Sequence, residues 1–262
     1  GIPRGAGKFE KNIFLNLFSS YGCFQLSVFN YDDSEQFNGR EGKTRTLFRL
    51  SACSVFCPMS SQPLDFSCME RSKPEYVGSE ITDTEILAKV PKDYRRLLTE
   101  TNGFVLFDGG LYIRGAVLSP EWHSLRKVWL GDFALHKLFP AIEETDVPFA
   151  QDCLGDQFVL RDSVVYKLDA EVGELDSLGV DLQTFLEQAQ ENPVEYLSLE
   201  PLLQFMSEGG KLQPGQLLSV YPPFIAEESA NGVSLRAISM FDRIGFLADF
   251  AGQISRLSNS EI

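Results

Sequence analysis

The stretch PFAQDCLGDQFVLRDSVVYKLDAEVGELDSL, residues 148–178, constrains the fold more than any other part of the chain. VPFAQDC, QFVL and VVYKLD are strand-like runs, joined by turns at Gly155-Asp156 and Arg161-Asp162-Ser163. A further turn at Glu171 to Glu174 contains Gly173. Short apolar runs punctuated in this way read as a clustered meander of β-strands. The same residues gather Asp152, Asp156, Asp162, Asp169, Glu171 and Glu174 around Cys153. They are therefore either a carboxylate site or ordinary hairpins with solvated charges, and that choice bears on whether the chain is an enzyme.

The flanking segments read as helices. SEITDTEILAKVPKDYRRLLTETNGF predicts two, with Thr82 and Glu85 at capping-box spacing in the first. Pro91 suits the first turn of the second, and Gly103 its stop. FVLFDGGLYIRGAVL predicts a hairpin around Asp108-Gly109-Gly110. HSLRKVWLGDFALHKLFP predicts short helical or irregular structure. VDLQTFLEQAQEN and EYLSLEPLLQFMSEGG predict helical pieces, and QLLSVYPPF with VSLRAIS a late pair of strands. SMFDRIGFLADFAGQISRL predicts a closing amphipathic helix with Phe241, Ile244, Leu247, Phe250 and Ile254 aligned. Helices, a meander and more helices make an α+β domain, with a mixed or antiparallel sheet flanked by N-terminal and C-terminal helices.

Residues 1–58 read differently. They are rich in Phe, Ser and Cys, with no Met before Met59, and are expected to be an N-terminal extension, even translated sequence upstream of a start at Met59. KFEKNIFLNLFSSYG has helical spacing, and CFQLSVFN and TLFRLSACSVF are strand-like. The polar stretch 59–79, with Pro63 and Pro74, suits a linker; the domain is expected over 80–257, with 258–262 as a tail.

Composition narrows the function classes. No window approaches about 18 uncharged apolar residues, so no membrane span is expected. Glu10 and Asn16 interrupt the apolar run that would make a secretory signal, and a cytoplasmic protein is expected. Five scattered cysteines, of which only Cys53 and Cys57 are close, imply reduced thiols rather than a zinc site. Residues 1–58 hold 7 Lys/Arg against 5 Asp/Glu, which leaves 16 against 32 of the chain's 23 and 37 for residues 59–262. So acidic a region repels nucleic acid and membranes and would steer towards basic partners, or simply aid solubility.

No residue pattern specifies catalysis. The spacing D-C-L-G-D-Q-F-V-L-R-D places apolar FVL inside a would-be calcium loop, which fits strand alternation better than coordination. His123 and His136 match no ligand pattern and are expected at the surface or its boundary. No G-x-S-x-G elbow, phosphate loop or dinucleotide signature is present: GIPRGAGK has the wrong glycine spacing and no strand before it. Cys153 could face a histidine, but its apolar neighbours fit a buried thiol. Trp122 and Trp129, with Phe133, are candidates to anchor a partner, while the plainer expectation is that both indoles close the core.

Two motifs carry a resemblance. VPKDYRRLLTETNGF resembles the L-P-x-D-Y-x-x-x-L-x-x-x-N-G opening of the SUKH superfamily, which includes the Smi/Knr-type yeast cell-wall-assembly regulators. PFAQDCLGDQFVLRDSVVYKLDAEVGEL resembles its F-A-x-D-x-x-G-D-x-F strand and D-x-E-T-G-E turn, with Val172 in place of the usual Thr. EGGKLQPGQLLSVYPPF is similar to the C-terminal extension of some bacterial members, so the resemblance spans about residues 80–257. It implies a single α+β domain without catalytic machinery or cofactor. In that reading Asp152, Asp156 and Glu171 belong to a structural signature, and the partner is a protein. Many bacterial members resemble immunity proteins that neutralise a toxin, often a nuclease, whose basic groove an acidic surface would suit. A regulatory scaffold with no toxin partner is the alternative. A metal-dependent hydrolase using Asp152, Asp156 and Glu171 is a remote one.

Overall fold

The strands of the meander are apolar on consecutive positions because both faces of their sheet are covered. Phe104, Leu106, Leu111, Ile113, Phe158 and Leu160 face one packed layer, while the intervening Val105, Tyr112 and Val159 face another. The computed structural model describes residues 73–258, and these form one α+β domain. The expectations for residues 1–58, and for the linker as far as residue 72, lie outside the described residues.

Seven strands form one sheet in sequence order, every neighbouring pair antiparallel: β1 (Tyr76–Val77), β2 (Phe104–Leu106), β3 (Leu111–Ile113), β4 (Val147–Asp152), β5 (Gln157–Arg161), β6 (Val164–Asp169) and β7 (Glu174–Ser177). β1 falls inside the expected linker. It is too short, and too polar around it, to register as a strand, yet Tyr76 pairs with Val105 and Val77 with Phe104. The edges are blunted by that short strand and by the acidic β7.

One face of the sheet is covered by α1 (Thr84–Lys89), α2 (Lys92–Glu100) and α5 (Leu182–Glu191). Tyr94, Leu97 and Leu98 of α2 and Phe185, Leu186 and Ala189 of α5 are buried there. Each of these leucine and phenylalanine side chains contributes about 1.5–3 kcal/mol by leaving water. The short helices α6 (Pro193–Tyr196) and α7 (Glu200–Ser207) continue this layer, Leu197, Leu199 and Leu202 closing it. The other face is covered by α3 (Leu125–Trp129), α4 (Leu135–Leu138) and α8 (Met240–Ser258). The buried stripe of α8 is Met240, Ile244, Leu247 and Ala251; Phe241 and Phe250 stay half-buried at its flanks. β8 (Gln216–Tyr221) and β9 (Ser234–Ser239) pair over six residues, as their apolar runs predict. β8 bonds to the main fold through the Leu218 amide and the Cys153 carbonyl, 2.8 Å apart.

Helix starts follow local chemistry with one shift from expectation. Asp83, not Thr82, caps α1: its carboxylate accepts from the Ile86 amide at 3.1 Å. Thr82 instead accepts the Leu118 amide through its hydroxyl. The second Asp83 oxygen is drawn to Arg126, which also binds Glu85 and ties α1 to α3. α2 stops earlier than expected, at an extended Thr101 cap, and Gly103 at φ +75° instead turns the chain into β2, a left-handed conformation that glycine adopts without strain.

A bulge marks the centre of the sheet. Val147 pairs with Leu160 and Ala150 with Phe158, so β4 carries one residue more than β5 between these pairs. Pro148 lies in that extra turn, where its missing N–H costs no ladder bond. The loosened carbonyls need donors, and fully buried Arg114 supplies them. Its Nη1 donates to Pro148 O at 2.8 Å and Ala150 O at 3.1 Å; its Nη2 donates to the Oε1 atoms of Gln151 and Gln157. Among the described residues no carboxylate pairs with this guanidinium, and burial pushes its pKa down to about 10, still charged at neutral pH. Tyr94, beneath, donates its hydroxyl to the Arg114 and Phe149 carbonyls. No helix of the described residues is long and apolar enough to cross a membrane.

Replacing Arg114 with Met strands those acceptors in the core and is expected to cost at least about 3 kcal/mol, against about 1–2 kcal/mol for Tyr94→Phe. Urea unfolding measures both; an R114M protein as stable as the parent would contradict the role assigned to the guanidinium.

Candidate functional site

The carboxylates of the signature stretch are brought to one end of the meander, and most of their oxygens are already engaged. Asp152 ends β4 with no exposed surface. Its Oδ1 accepts the amides of Leu154, Gly155 and Asp156 at 2.9–3.0 Å, which folds the β4–β5 turn around one oxygen. Gly155 takes φ +104° in that turn, and a Cβ there would stand 2.8 Å from Leu247 of α8. Asp152 Oδ2 is buried without a hydrogen bond, 3.8 Å from Lys167 Nζ. Burial and then the neighbouring Asp156 charge push the Asp152 pKa up to about 7. Asp156 is nearer the surface: Oδ1 accepts the Ala170 amide at 3.0 Å, and Oδ2 pairs with Lys167 at 3.0 Å. Cys153 is a buried free thiol held well above its ordinary pKa by burial.

Glu171 lies across the opening, in the β6–β7 turn. Its Oε1 accepts the Ile225 amide at 2.7 Å, pinning the strap of residues 222–233 that joins β8 to β9. Partial burial raises its pKa. Asp169 holds the same turn through the Glu171 and Val172 amides. Arg243 of α8, 2% exposed, donates from Nε to Leu154 O at 3.0 Å. Together Leu154, Asp156, Asp169, Glu171, Val172, Phe224, Ile225, Arg243 and Leu247 line a cleft of about 300 Å³. Among the described residues no group of three or more His, Cys, Asp or Glu is placed to hold a metal ion.

The site therefore joins Asp156 and Glu171 at one cleft, with Asp152 beneath it as a structural acceptor. The cleft's other members, Arg243, Phe224 and Ile225, lie some 70 to 90 residues from the Leu154–Asp156 turn and carry no motif, so nothing local in the sequence marks them.

The tryptophans lie elsewhere. Trp129 is 7% exposed within the core and donates Nε1 to Glu144 O at 3.1 Å. Trp122 is half-buried, packed edge-on against Tyr76 and Tyr112 and over Gly215. Phe133 is half-buried against Phe241. His123, expected near the surface, is 1% exposed. It fits because Gly78, Gly103 and Gly115 leave a niche that any Cβ would fill, each within 2.7 Å of the ring. Its Nε2 must donate to the Asn102 carbonyl at 2.9 Å, and burial lowers its pKa to about 4, so it is neutral. His136 is half-buried in α4.

No family model and no curated protein matches the chain. Among solved structures it is similar to the crystal structure of Atu4351 from Agrobacterium tumefaciens, with a TM-score of 0.44 and 11% identity, covering 69% of this chain and 86% of that one.

Two substitutions separate charge from geometry at Asp152. Asp152→Ala leaves three buried amides without an acceptor and is expected to cost about 3 kcal/mol or more, whereas Asp152→Asn keeps an acceptor and removes the charge. The folded pKa lies above the unfolded value, so the native chain keeps a proton that the unfolded chain has lost. Stability relative to D152N should fall as pH rises from about 4 to about 7, then level off. Thermal melts of both proteins across pH 4–8 read this directly, and a pH-independent difference would contradict it.

Proposed function

We propose that this domain is a non-enzymatic protein-binding module of the SUKH immunity type, which neutralises a basic toxin, a nuclease being the class its charge suits best. The observation that carries the reading is the use of the signature residues. The carboxylates nearest an enzyme-like constellation, Asp152 and Asp156, spend three of their four oxygens on backbone amides and Lys167, and the fourth, Asp152 Oδ2, is buried 3.8 Å from Lys167 rather than converging with them on an open point. Chemistry at that spot would need a free carboxylate at a reacting atom. What remains for a partner is surface, and residues 59–262 carry twice as many acidic as basic side chains. A partner with a basic groove would be steered to such a surface and held in register by it.

Co-expression with the products of neighbouring genes tests the proposal. One of them should be toxic alone, harmless beside this chain, and recovered with it as a complex whose association slows about tenfold or more between low and high salt. No rescue and no complex with any neighbouring product would defeat it.

A further inference from the structure

The 300 Å³ cleft is the smaller part of a longer groove. A second depression of about 660 Å³ shares Val172 and Ile225 with it and runs on between α8 and the β6–β7 turn, over Ala248, Ala251, Gly252 and Ile254. From Arg243 to Arg256 the helix wall extends about 20 Å at 1.5 Å per residue, the length of about six extended residues. Small side chains on α8 leave a channel rather than a filled seam.

The chemistry along this groove is two-sided. Asp156, Asp169 and Glu171 line the small cleft, and Glu174 lines the larger one. Lys167 pairs with Asp156, and two further acceptors line the cleft: Asp169, raised by burial and then by the Asp156 charge, and Glu171, raised chiefly by burial, both of which a bound cation would favour in the charged form. Arg243 is buried in the same wall with one hydrogen bond, and among the described residues no carboxylate stands within 4.0 Å of it. Its remaining N–H groups suit a carbonyl acceptor. A ligand that answers both needs offers ammonium or guanidinium groups and peptide carbonyls together. At the groove stand partly exposed apolar side chains: Phe224 is 44% exposed, Ile225 50% and Tyr221 74%. Aromatic and aliphatic side chains in that state beside a charged pocket mark an anchor for a partner's own apolar side chains.

We propose that this groove is the docking site for an extended, Lys/Arg-bearing segment of the partner protein. One cationic side chain sits between Asp169 and Glu171, a backbone carbonyl accepts from Arg243, and apolar side chains rest on Phe224 and Ile225. The proposal rests on the protein-binding reading above and adds to it the surface and the chemistry of the segment bound.

The test is selection from a displayed library of random hexapeptides on the whole chain, with a triple variant D169N/E171Q/F224A as comparator. Neither amide substitution requires new contacts, since each carboxamide oxygen can still accept the backbone bonds of the carboxylate it replaces, and Phe224 is exposed. A thermal melt confirms that the variant folds. Selected peptides should be enriched in Lys or Arg beside an aliphatic or aromatic residue. They should bind the triple variant at least tenfold more weakly by fluorescence anisotropy. No enrichment, enrichment without basic residues, or equal binding to both proteins overturns the proposal. So does a dimer in sedimentation that the triple variant abolishes, which would assign the groove to a second copy of the chain. A toxin complex from the co-expression experiment that holds the triple variant as tightly as the parent removes this groove while leaving the protein-binding reading intact.

Discussion

The domain depends on a charge buried without a counter-ion among the described residues. Arg114 sits at the middle of the sheet, with no carboxylate paired to it among the described residues and with both terminal nitrogens donating to backbone carbonyls and glutamine oxygens. Isolated ions are costly to bury, and only a full set of hydrogen bonds makes such a position tolerable. Here the set is nearly complete: Nε alone lacks a partner. The bulge at Pro148 creates the acceptors, Arg114 satisfies them, and the Gln151 and Gln157 side chains carry the network to the β4–β5 turn through Gln157 Nε2 and Gly155 O, 2.6 Å apart. That turn is where Asp152, Asp156 and Arg243 meet. The geometry of the candidate site is thus inherited from a polar contact in the sheet rather than built at the surface.

Two oppositely charged centres, each imperfectly paired, therefore lie at the two ends of one short network. At the Asp152 end three amides bind one oxygen while the other is left with a distant lysine, so the carboxyl is drawn both towards ionisation and away from it. Burial wins, since its pKa rises rather than falls. A carboxyl in that balance forms the β4–β5 turn with or without its proton, because Oδ1 can still accept the three amides. The motif Q-D-C-L-G-D-Q accordingly reads as a knot of backbone bonds in which each polar residue faces a different element: Gln151 and Gln157 face Arg114, Asp152 its own turn, and Asp156 β6.

What the sequence made legible follows from how local each feature is. The meander was readable because apolar runs and turn formers alternate within about 30 residues, and its turns at Gly155, Asp162-Ser163 and Gly173 all take positive φ. α5 and α8 were readable from spacing. The exact stripe of α8 was not, because the sheet selects small Ala251 for contact and leaves the larger Phe250 at the flank. β1 was hidden because two residues carry no periodicity, and only pairing with β2 makes them a strand. The burial of His123 depends on three glycines that follow β1, α2 and β3 in turn, a coincidence that no window contains. The candidate site was half legible. Asp152, Asp156 and Glu171 stood out as carboxylates near turns, but Arg243, Phe224 and Ile225 reach them only through tertiary packing.

The two sides of the cleft also differ in how firmly they are held. Its floor belongs to the β4–β5 turn and α8, where Gly155 meets Leu247, Arg243 bonds Leu154 and the buried stripe of the helix packs on the sheet. Its rim is the strap between β8 and β9. There, among the described residues, the bond from the Ile225 amide to Glu171 is the hydrogen bond that reaches across the cleft, and it is exposed to water, where such a bond contributes about 1 kcal/mol or less. Tyr221 is mostly exposed there, and Phe224 and Ile225 are only about half covered. Rims of few buried contacts open at low cost, while a scaffold tied by buried hydrogen bonds keeps its charges in place. Affinity for a partner would then come from apolar side chains free to adjust, and register from carboxylates that are not.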